Sequence, residues 1–346
     1  MTDGCYRVKR HFSVVVHSPD RVEFRDGVWN ARSALVDDKG ASGRLAAVVA
    51  ALDGTRTPAE AADVAQAPQA EVQAVLDHLK DLDVLEDAPD NYTDHYLDLI
   101  SGRGPQPRET PPVVLVGSAR LCASVGATVT AALPSAKVVE GGPDHPLAAP
   151  GPAEAAWLED GLEFHRAMDR FADLTGSFVV LLDEVVDPLR AQLVNRVCGH
   201  HDIPWLYAAA DGPFATVGPL VVPGRTACWE CYETRVWMNL RESASYQRYK
   251  AALAQGAVAP PDCSLQPVLA QLLTAHTAPE VLSFATTGTA VTASQVLALY
   301  LPTMEFAVNE VLRVPGCPAC APAPERDDRE LYFDLRALRE PQEERA

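Results

Sequence analysis

The feature that most constrains this chain is a pair of short cysteine spacings far apart in the sequence. Pro223-Gly-Arg-Thr-Ala-Cys228-Trp-Glu-Cys231 is answered downstream by Pro315-Gly-Cys317-Pro-Ala-Cys320. Two thiolates three residues apart on a tight turn face one point, and two such pairs supply the four soft ligands of a tetrahedral zinc. Pro and Gly before each pair, and Pro318 inside the second, suit such turns. Two independent redox dithiols are the alternative. With Cys228, Cys231, Cys317 and Cys320 all ligating, no position stays open for water, so the expected zinc is structural rather than catalytic. Any fold must then bring residues near 230 to residues near 318.

The 346 residues are 47% hydrophobic, enough to fill the cores of two domains. A formal net charge of −18 disfavours nucleic acid or an anionic membrane as a partner. No stretch approaches the roughly 18 uninterrupted apolar residues of a membrane span. The N-terminus leads into a strand-like run without a signal-peptide apolar region, so a cytoplasmic location is expected. Cys5, Cys122, Cys198 and Cys263 show no pairing pattern, which argues against a disulfide framework.

Residues 1–90 read as three strands and then three helices, a winged-helix-like order. The strands are 11–17, the alternating Arg21-Val-Glu-Phe-Arg25, and a third starting at Val28-Trp29-Asn30 after the Asp26-Gly27 hairpin signal. The helices cover 43–52, a second opened by the capping box Thr57-Pro-Ala-Glu60, and 68–82, whose Val72, Val75, Leu76 and Leu79 share one face. Winged helices often bind DNA, but residues 1–90 hold ten Lys/Arg against sixteen Asp/Glu. The third helix carries Lys80 against Glu71, Asp77 and Asp81, the wrong sign for phosphate.

Residues 91–111 read as a linker, rich in Gly, Pro and Arg toward its end. From 112 to 346 the pattern becomes α/β. Buried-strand runs occur at 113–116, 136–139 and 178–182, with a short strand at 204–207; helices are expected over 153–174 and 188–198. Residues 304–308 and 310–313 read as an antiparallel pair carrying the second cysteine turn. His200-His201 read as a surface pair, and Trp229, Tyr232 and Trp237 as packing around the metal site.

Two resemblances follow from these residues. The Asp26-Gly27 hairpin, Leu52-Asp-Gly-Thr-Arg-Thr57 and Leu79…Leu82-x-Val84-Leu85-Glu86 resemble the PqqD-like peptide-recognition domain. That resemblance implies capture of a precursor's leader peptide as an added strand. The implied site is the crevice between the third strand (Val28, Trp29, Asn30) and the third helix (Val72, Val75, Leu76, Leu79, with Lys80 nearby). Further on, Val179-Val-Leu-Leu-Asp183, Leu193-x-Asn195-x-x-Cys198, Ile203-Pro-Trp205, Val217-Gly-Pro219 and the cysteine turns come in an order similar to the ThiF-like family. Those relatives of ubiquitin-activating enzymes have a Rossmann-type α/β fold and adenylate C-terminal carboxylates.

Adenylation needs a glycine-rich turn after the first strand, so that backbone N–H groups can close on phosphates. Here that turn is Gly117-Ser-Ala-Arg-Leu-Cys122, and only Glu140 remains to hold a ribose. No ATP binding by this chain is therefore expected. Cys263, the one candidate for a thioester-forming residue, has Asp262 beside it, which opposes thiolate formation. The combination resembles the ocin-ThiF-like partner proteins of YcaO-type cyclodehydratases. It implies a non-catalytic protein that binds a leader and presents the precursor to a YcaO enzyme. That enzyme would cyclise Cys, Ser or Thr to azolines in bacteriocin or thiopeptide biosynthesis. The chain could also form a homodimer through the ThiF-like domain. The alternative is an ATP-dependent activating enzyme that adenylates a peptide or carrier-protein C-terminus.

Overall fold

The computed structural model describes residues 4–9, 11–27, 32–86, 110–148, 156–158, 160–255 and 266–321. The chain divides into two compact units, Met1–Pro107 and Arg108–Ala346. Among the described residues no helix is long and apolar enough to cross a membrane.

In the first unit, β1 (Arg7–Val8) precedes an antiparallel sheet of β2 (Ser13–Ser18), β3 (Arg21–Asp26) and β4 (Arg32–Asp37), in that spatial order. Strand alternation sorts its faces: Val22 and Phe24 are fully buried, while Glu23 and Arg25 alternate with them on the other face. There the Ser33 hydroxyl donates to Glu23 at 2.7 Å and His17 Nε2 lies 2.9 Å away, which together hold the Glu23 carboxyl down at about 2. The third strand of the sheet begins at Arg32; Val28, Trp29 and Asn30 lie outside the described residues.

Three helices follow: α1 (Leu45–Ala51), α2 (Pro58–Ala65) and α3 (Gln69–Asp81). The capping box starts α2, with the Thr57 N–H donating to Glu60 Oε2 at 2.8 Å and the Glu60 N–H donating to Thr57 Oγ1 at 3.4 Å. Val72, Leu76 and Leu79 of α3 recur at helical spacing and are fully buried beside Phe24, Leu45 and Val48. Burial of each such side chain contributes about 1.5–3 kcal/mol. The unit closes where β5 (Leu85–Glu86) pairs antiparallel with β1, reinforced by the ion pairs Arg7–Glu86 and Lys9–Asp83.

The second unit is built on a seven-stranded mixed sheet, ordered β12-β11-β10-β9-β8-β6-β7. Its parallel half consists of β6 (Val113–Gly117), β7 (Val138–Glu140), β8 (Phe178–Asp183) and β9 (Trp205–Asp211). β6 and β8 read as near-continuous apolar runs because the sheet is covered on both faces there, whereas β7 at the edge is largely exposed. The antiparallel half adds β10 (Phe214–Val221), β11 (Gln295–Tyr300) and β12 (Glu305–Glu310).

One face carries α4 (Ala119–Ala132) and a 21-residue helix, Pro267–Thr287, where Phe178 and Phe284 stack with ring centroids 4.4 Å apart. The other face carries α6 (Pro188–His200) and α7 (Trp229–Asn239), which follow α5 (Gly161–Met168) in the chain. Next come α8 (Ser243–Ala254) and then the 21-residue helix, numbered α9.

Two expectations need correction. Residues 153–174 do not form one helix: a 3₁₀ turn at Ala156–Leu158, α5, and a 3₁₀ segment at Asp169–Leu174 share the stretch. The break is local chemistry. Asp160 caps α5 by accepting from the N–H groups of Leu162 and Glu163, and Asp and Gly at 160–161 start a helix better than they continue one. Likewise, 304–308 and 310–313 do not pair with each other. β12 pairs upstream with β11, from Gln295↔Glu310 to Tyr300↔Glu305. The turn lies at 301–304, where Met304 takes a positive φ of 54°, and Asn309 alone offers no room to reverse the chain.

Candidate functional site

β10 delivers the chain to the first cysteine turn. Gly224 takes a φ of 71°, the Arg225 and Thr226 N–H groups donate to the Val222 carbonyl, and Thr226 Oγ1 accepts from the Val222 N–H at 2.8 Å. Cys228 then occupies the position before α7, and Cys231 sits in its first turn. β12 delivers the second turn, with Gly316 at a φ of 72° and the Cys317 N–H donating to the Val314 carbonyl.

The four sulfurs converge. Cys228 Sγ lies 3.8 Å from Cys231 Sγ and 3.6 Å from Cys317 Sγ, and Cys231 Sγ lies 3.4 Å from Cys320 Sγ. All four fall within 4.8 Å of one another. A tetrahedron with zinc–sulfur bonds of about 2.3 Å has edges of about 3.8 Å, so this donor set could hold one ion with sulfur shifts of about 1 Å or less. The Val314 N–H also donates to Cys231 Sγ at 3.2 Å, a bond that favours thiolate. Without a cation, burial pushes the Cys228 thiol up and the Cys320 thiol to about 11. A divalent ion would supply the charge that draws off those protons.

A polar frame around the cysteines was not legible from the spacing. Arg196 on α6 donates to both oxygens of Glu230, at 2.5 and 2.9 Å, and to the Pro318 carbonyl at 2.9 Å. One guanidinium thus joins the two cysteine turns. Asn195 Oδ1 accepts from the Trp229 N–H at 3.1 Å, capping α7. Arg313 donates to the Thr226 carbonyl and Arg235 to the carbonyls of Leu312 and Arg313. These cations also offset the negative charge of a four-thiolate site. The one available signal was Asn195-Arg196, two polar residues on an otherwise apolar helix face. Trp229 is buried in the adjoining core, edge-on to Tyr207 at 6.0 Å, with Tyr232 also packed against Tyr207.

The turn after β6 lies where the chain, having gone to β7, crosses back to β8 on the other side of β6. Gly117 has a φ of 118°, and a Cβ there would meet the Leu182 carbonyl oxygen at 2.1 Å. The Ser118 N–H donates to that same carbonyl at 2.7 Å, so it is committed to the sheet. Glu184 occupies the turn. It accepts from Ser118 Oγ at 2.7 Å and from Arg120 Nε and Nη2, both at 2.9 Å. A carboxylate thus sits at the start of α4, where an anion would otherwise be favoured.

Next to it, Asp183 is 2% exposed; one oxygen accepts from Arg190 at 2.5 Å, and the other has no hydrogen-bond partner. Burial pushes its carboxyl up to about 7, with Arg190 partly opposing. Glu140, at the end of β7, is exposed.

In the first unit, Val72, Leu76 and Leu79 face the core, while Val75 is half-buried at its margin. Lys80 Nζ stands 3.9 Å above the Tyr6 ring. The outer edge of β4 has no partner strand among the described residues, and Leu35 on it is 45% exposed. The N-terminus of α3 is tied to the segment leaving β4, because Arg44 and Ser42 both donate to Glu71. His200 packs near His165 and Phe164, and His201 Nε2 lies 3.0 Å from the Met168 carbonyl oxygen. Cys263 lies outside the described residues.

No family model matches the chain, and no curated protein matches it by sequence. Solved structures do match its fold. A heterocyclase in complex with substrate and cofactor superposes with a TM-score of 0.64 at 16% identity, covering 92% of this chain and 40% of that one. The heterocyclase TruD superposes with a TM-score of 0.56 at 18% identity, covering 92% of this chain and 43% of its own. The chain therefore spans about two fifths of the length of these heterocyclases and shares the fold of that part.

Proposed function

We propose that this chain is a leader-binding partner in azole-forming peptide biosynthesis. Its first unit acts as a PqqD-like, winged-helix peptide-recognition domain, and its second is a ThiF-like domain stapled by one zinc. The observation that carries the reading is the outer edge of β4, which has no partner strand among the described residues, with α3 tied to the segment leaving that strand. An extended peptide needs a free edge for its backbone hydrogen bonds and an adjoining apolar wall for alternate side chains. β4 offers the edge, Ala34 is a half-buried apolar contact on its core-side face, and Val75 on α3 is another. Val72, Leu76 and Leu79 support that wall from the core, with Lys80 further along α3; Val28, Trp29 and Asn30 are proposed contacts that lie outside the described residues. Cyclisation of Cys, Ser or Thr is assigned to a YcaO-type cyclodehydratase, to which this chain presents the bound precursor.

The Ser118–Glu184–Arg120 clamp favours this reading over an adenylating enzyme. A phosphate placed at the start of α4 would meet Glu184, a like charge, and donors already in use. The second reading, carboxylate activation with ATP, requires that clamp to open.

The test uses the full chain and a fluorescent leader peptide from a neighbouring precursor gene. Val75→Glu should weaken leader binding by roughly 1–3 kcal/mol and leave the fold intact, because Val75 is at the margin of the core. Heterocyclisation should appear only once a YcaO chain is added. Leader affinity unchanged in Val75→Glu would refute the β4–α3 crevice. Pyrophosphate exchange by the chain alone would favour the activating enzyme.

A further inference from the structure

The second unit holds a cavity of about 860 Å³ that neither the cysteine site nor the turn after β6 uses. It lies between the antiparallel half of the sheet and the helices α7 and α8. Its floor is made of small side chains, Ala209, Thr216 and Ala298, where larger ones would have closed the space against the helices. Its walls carry four tyrosines, Tyr207, Tyr232, Tyr246 and Tyr249. The volume is that of a small-ligand site.

Charge decides what such a ligand would be. Asp211, Glu233 and Glu310 line the cavity against Lys250 and Arg235, and both cations are already engaged. Lys250 Nζ donates to Asp211 Oδ2 at 2.6 Å, and Arg235 donates to the carbonyls of Leu312 and Arg313. Glu233 lies 4.0 Å from Lys250 and is hydrogen-bonded to the Tyr246 side chain, while Glu310 makes no ion pair among the described residues. Three carboxylates therefore face two cations, and Glu310 is left for an incoming group.

We infer that this cavity binds an organic cation: an ammonium or guanidinium on an apolar or aromatic body. The cation would sit by Glu233 and Glu310 and over tyrosine faces, and the body would lie on the Ala209–Thr216–Ala298 floor. Phosphates and carboxylates meet a surplus of like charge there. The same chemistry is offered by a free arylalkylamine or by a basic residue next to an aromatic one in a peptide.

The experiment titrates the full chain with phenethylamine, with phenylacetate as the anion of similar shape, and with the capped dipeptide N-acetyl-Phe-Lys-amide. Binding is read by calorimetry and by saturation-transfer NMR. Saturable binding of phenethylamine or of the dipeptide, with phenylacetate excluded, is expected; the tighter of the two identifies the source. Glu233→Gln should weaken the cation about tenfold. Asn239→Trp, placed on the exposed helix wall, should fill the mouth and abolish binding without touching the core. Phenylacetate binding as tightly as phenethylamine would overturn the inference. So would failure of both cations to bind, or affinity unchanged in both variants.

Discussion

The cysteine site and the turn after β6 belong to one unit and one resemblance, yet they have been treated in opposite ways. At the cysteines, two distant turns bring four sulfurs to one point that suits a metal, a backbone N–H reaches one of them, and three arginines brace the turns. At the turn, the corresponding donors have been given over to an internal carboxylate. The contrast is that four donors gathered at one point could hold an ion, whereas the donors of the turn are already in use within the chain. The metal site resists such filling because it closes a loop of the chain: losing one ligand frees both ends. The turn does not, since Gly117 serves sheet packing whether or not a phosphate is present.

The largest effect should come from breaking the first member of the pair. Cys317→Ser should release the metal, measured by elemental analysis, and lower the melting temperature by more than about 10 °C, because metal binding and folding are linked. Protein that is metal-free as purified, with a melt indifferent to chelator, would end the comparison. Arg196→Ala removes no ligand but leaves Glu230 without its clamp and separates the two cysteine turns. We expect a loss of metal affinity of about 10- to 100-fold, read by chelator competition.

Asp183 offers a pH probe of the turn. Its carboxyl titrates near 7 when folded, against 3.8 in the absence of burial. A carboxyl raised on folding contributes stability that is fully present below the unfolded value and lost as pH rises through the folded one. Wild-type stability should therefore decline between about pH 4 and pH 7, by on the order of 4 kcal/mol, relative to Asp183→Asn. Denaturant titrations of both proteins across that window measure the slope, and parallel curves would count against a buried, raised carboxyl. The smallest change is expected for Glu184→Gln. Arg120 is 38% exposed and screening is substantial, so the loss should be about 1 kcal/mol or less. Its value lies in a second readout: if the clamp excludes phosphate, ATP should bind the variant better than the wild type in a calorimetric titration.

Some of this was legible in the residues alone. Local chemistry is read locally: the Thr57–Glu60 capping box, the alternation of Val22 and Phe24 with Glu23 and Arg25, and the apolar runs of β6 and β8 each depend on near neighbours. The α5 region misled because its apolar residues continue through Asp160, whose capping preference outweighs the periodicity. β12 misled because its partner, β11, carries no distinct turn signal other than Pro302.

Within the candidate sites, Cys228, Cys231, Cys317 and Cys320 announced themselves, since thiol ligands must come in closely spaced pairs. Arg196, Glu230, Ser118, Glu184 and the tyrosine-walled cavity did not. A charged residue reads the same in sequence whether it faces solvent or a partner 122 positions away, as Arg196 does at Pro318. By itself, then, the sequence determined most of the helices and strands, though not the break within 153–174 or the partner of β12, and which four sulfurs would seek one another. Only the tertiary structure decided that Glu184 fills the turn after β6 and that small residues on three strands leave a cavity. Both depend on long-range juxtaposition, which short-range pattern does not encode.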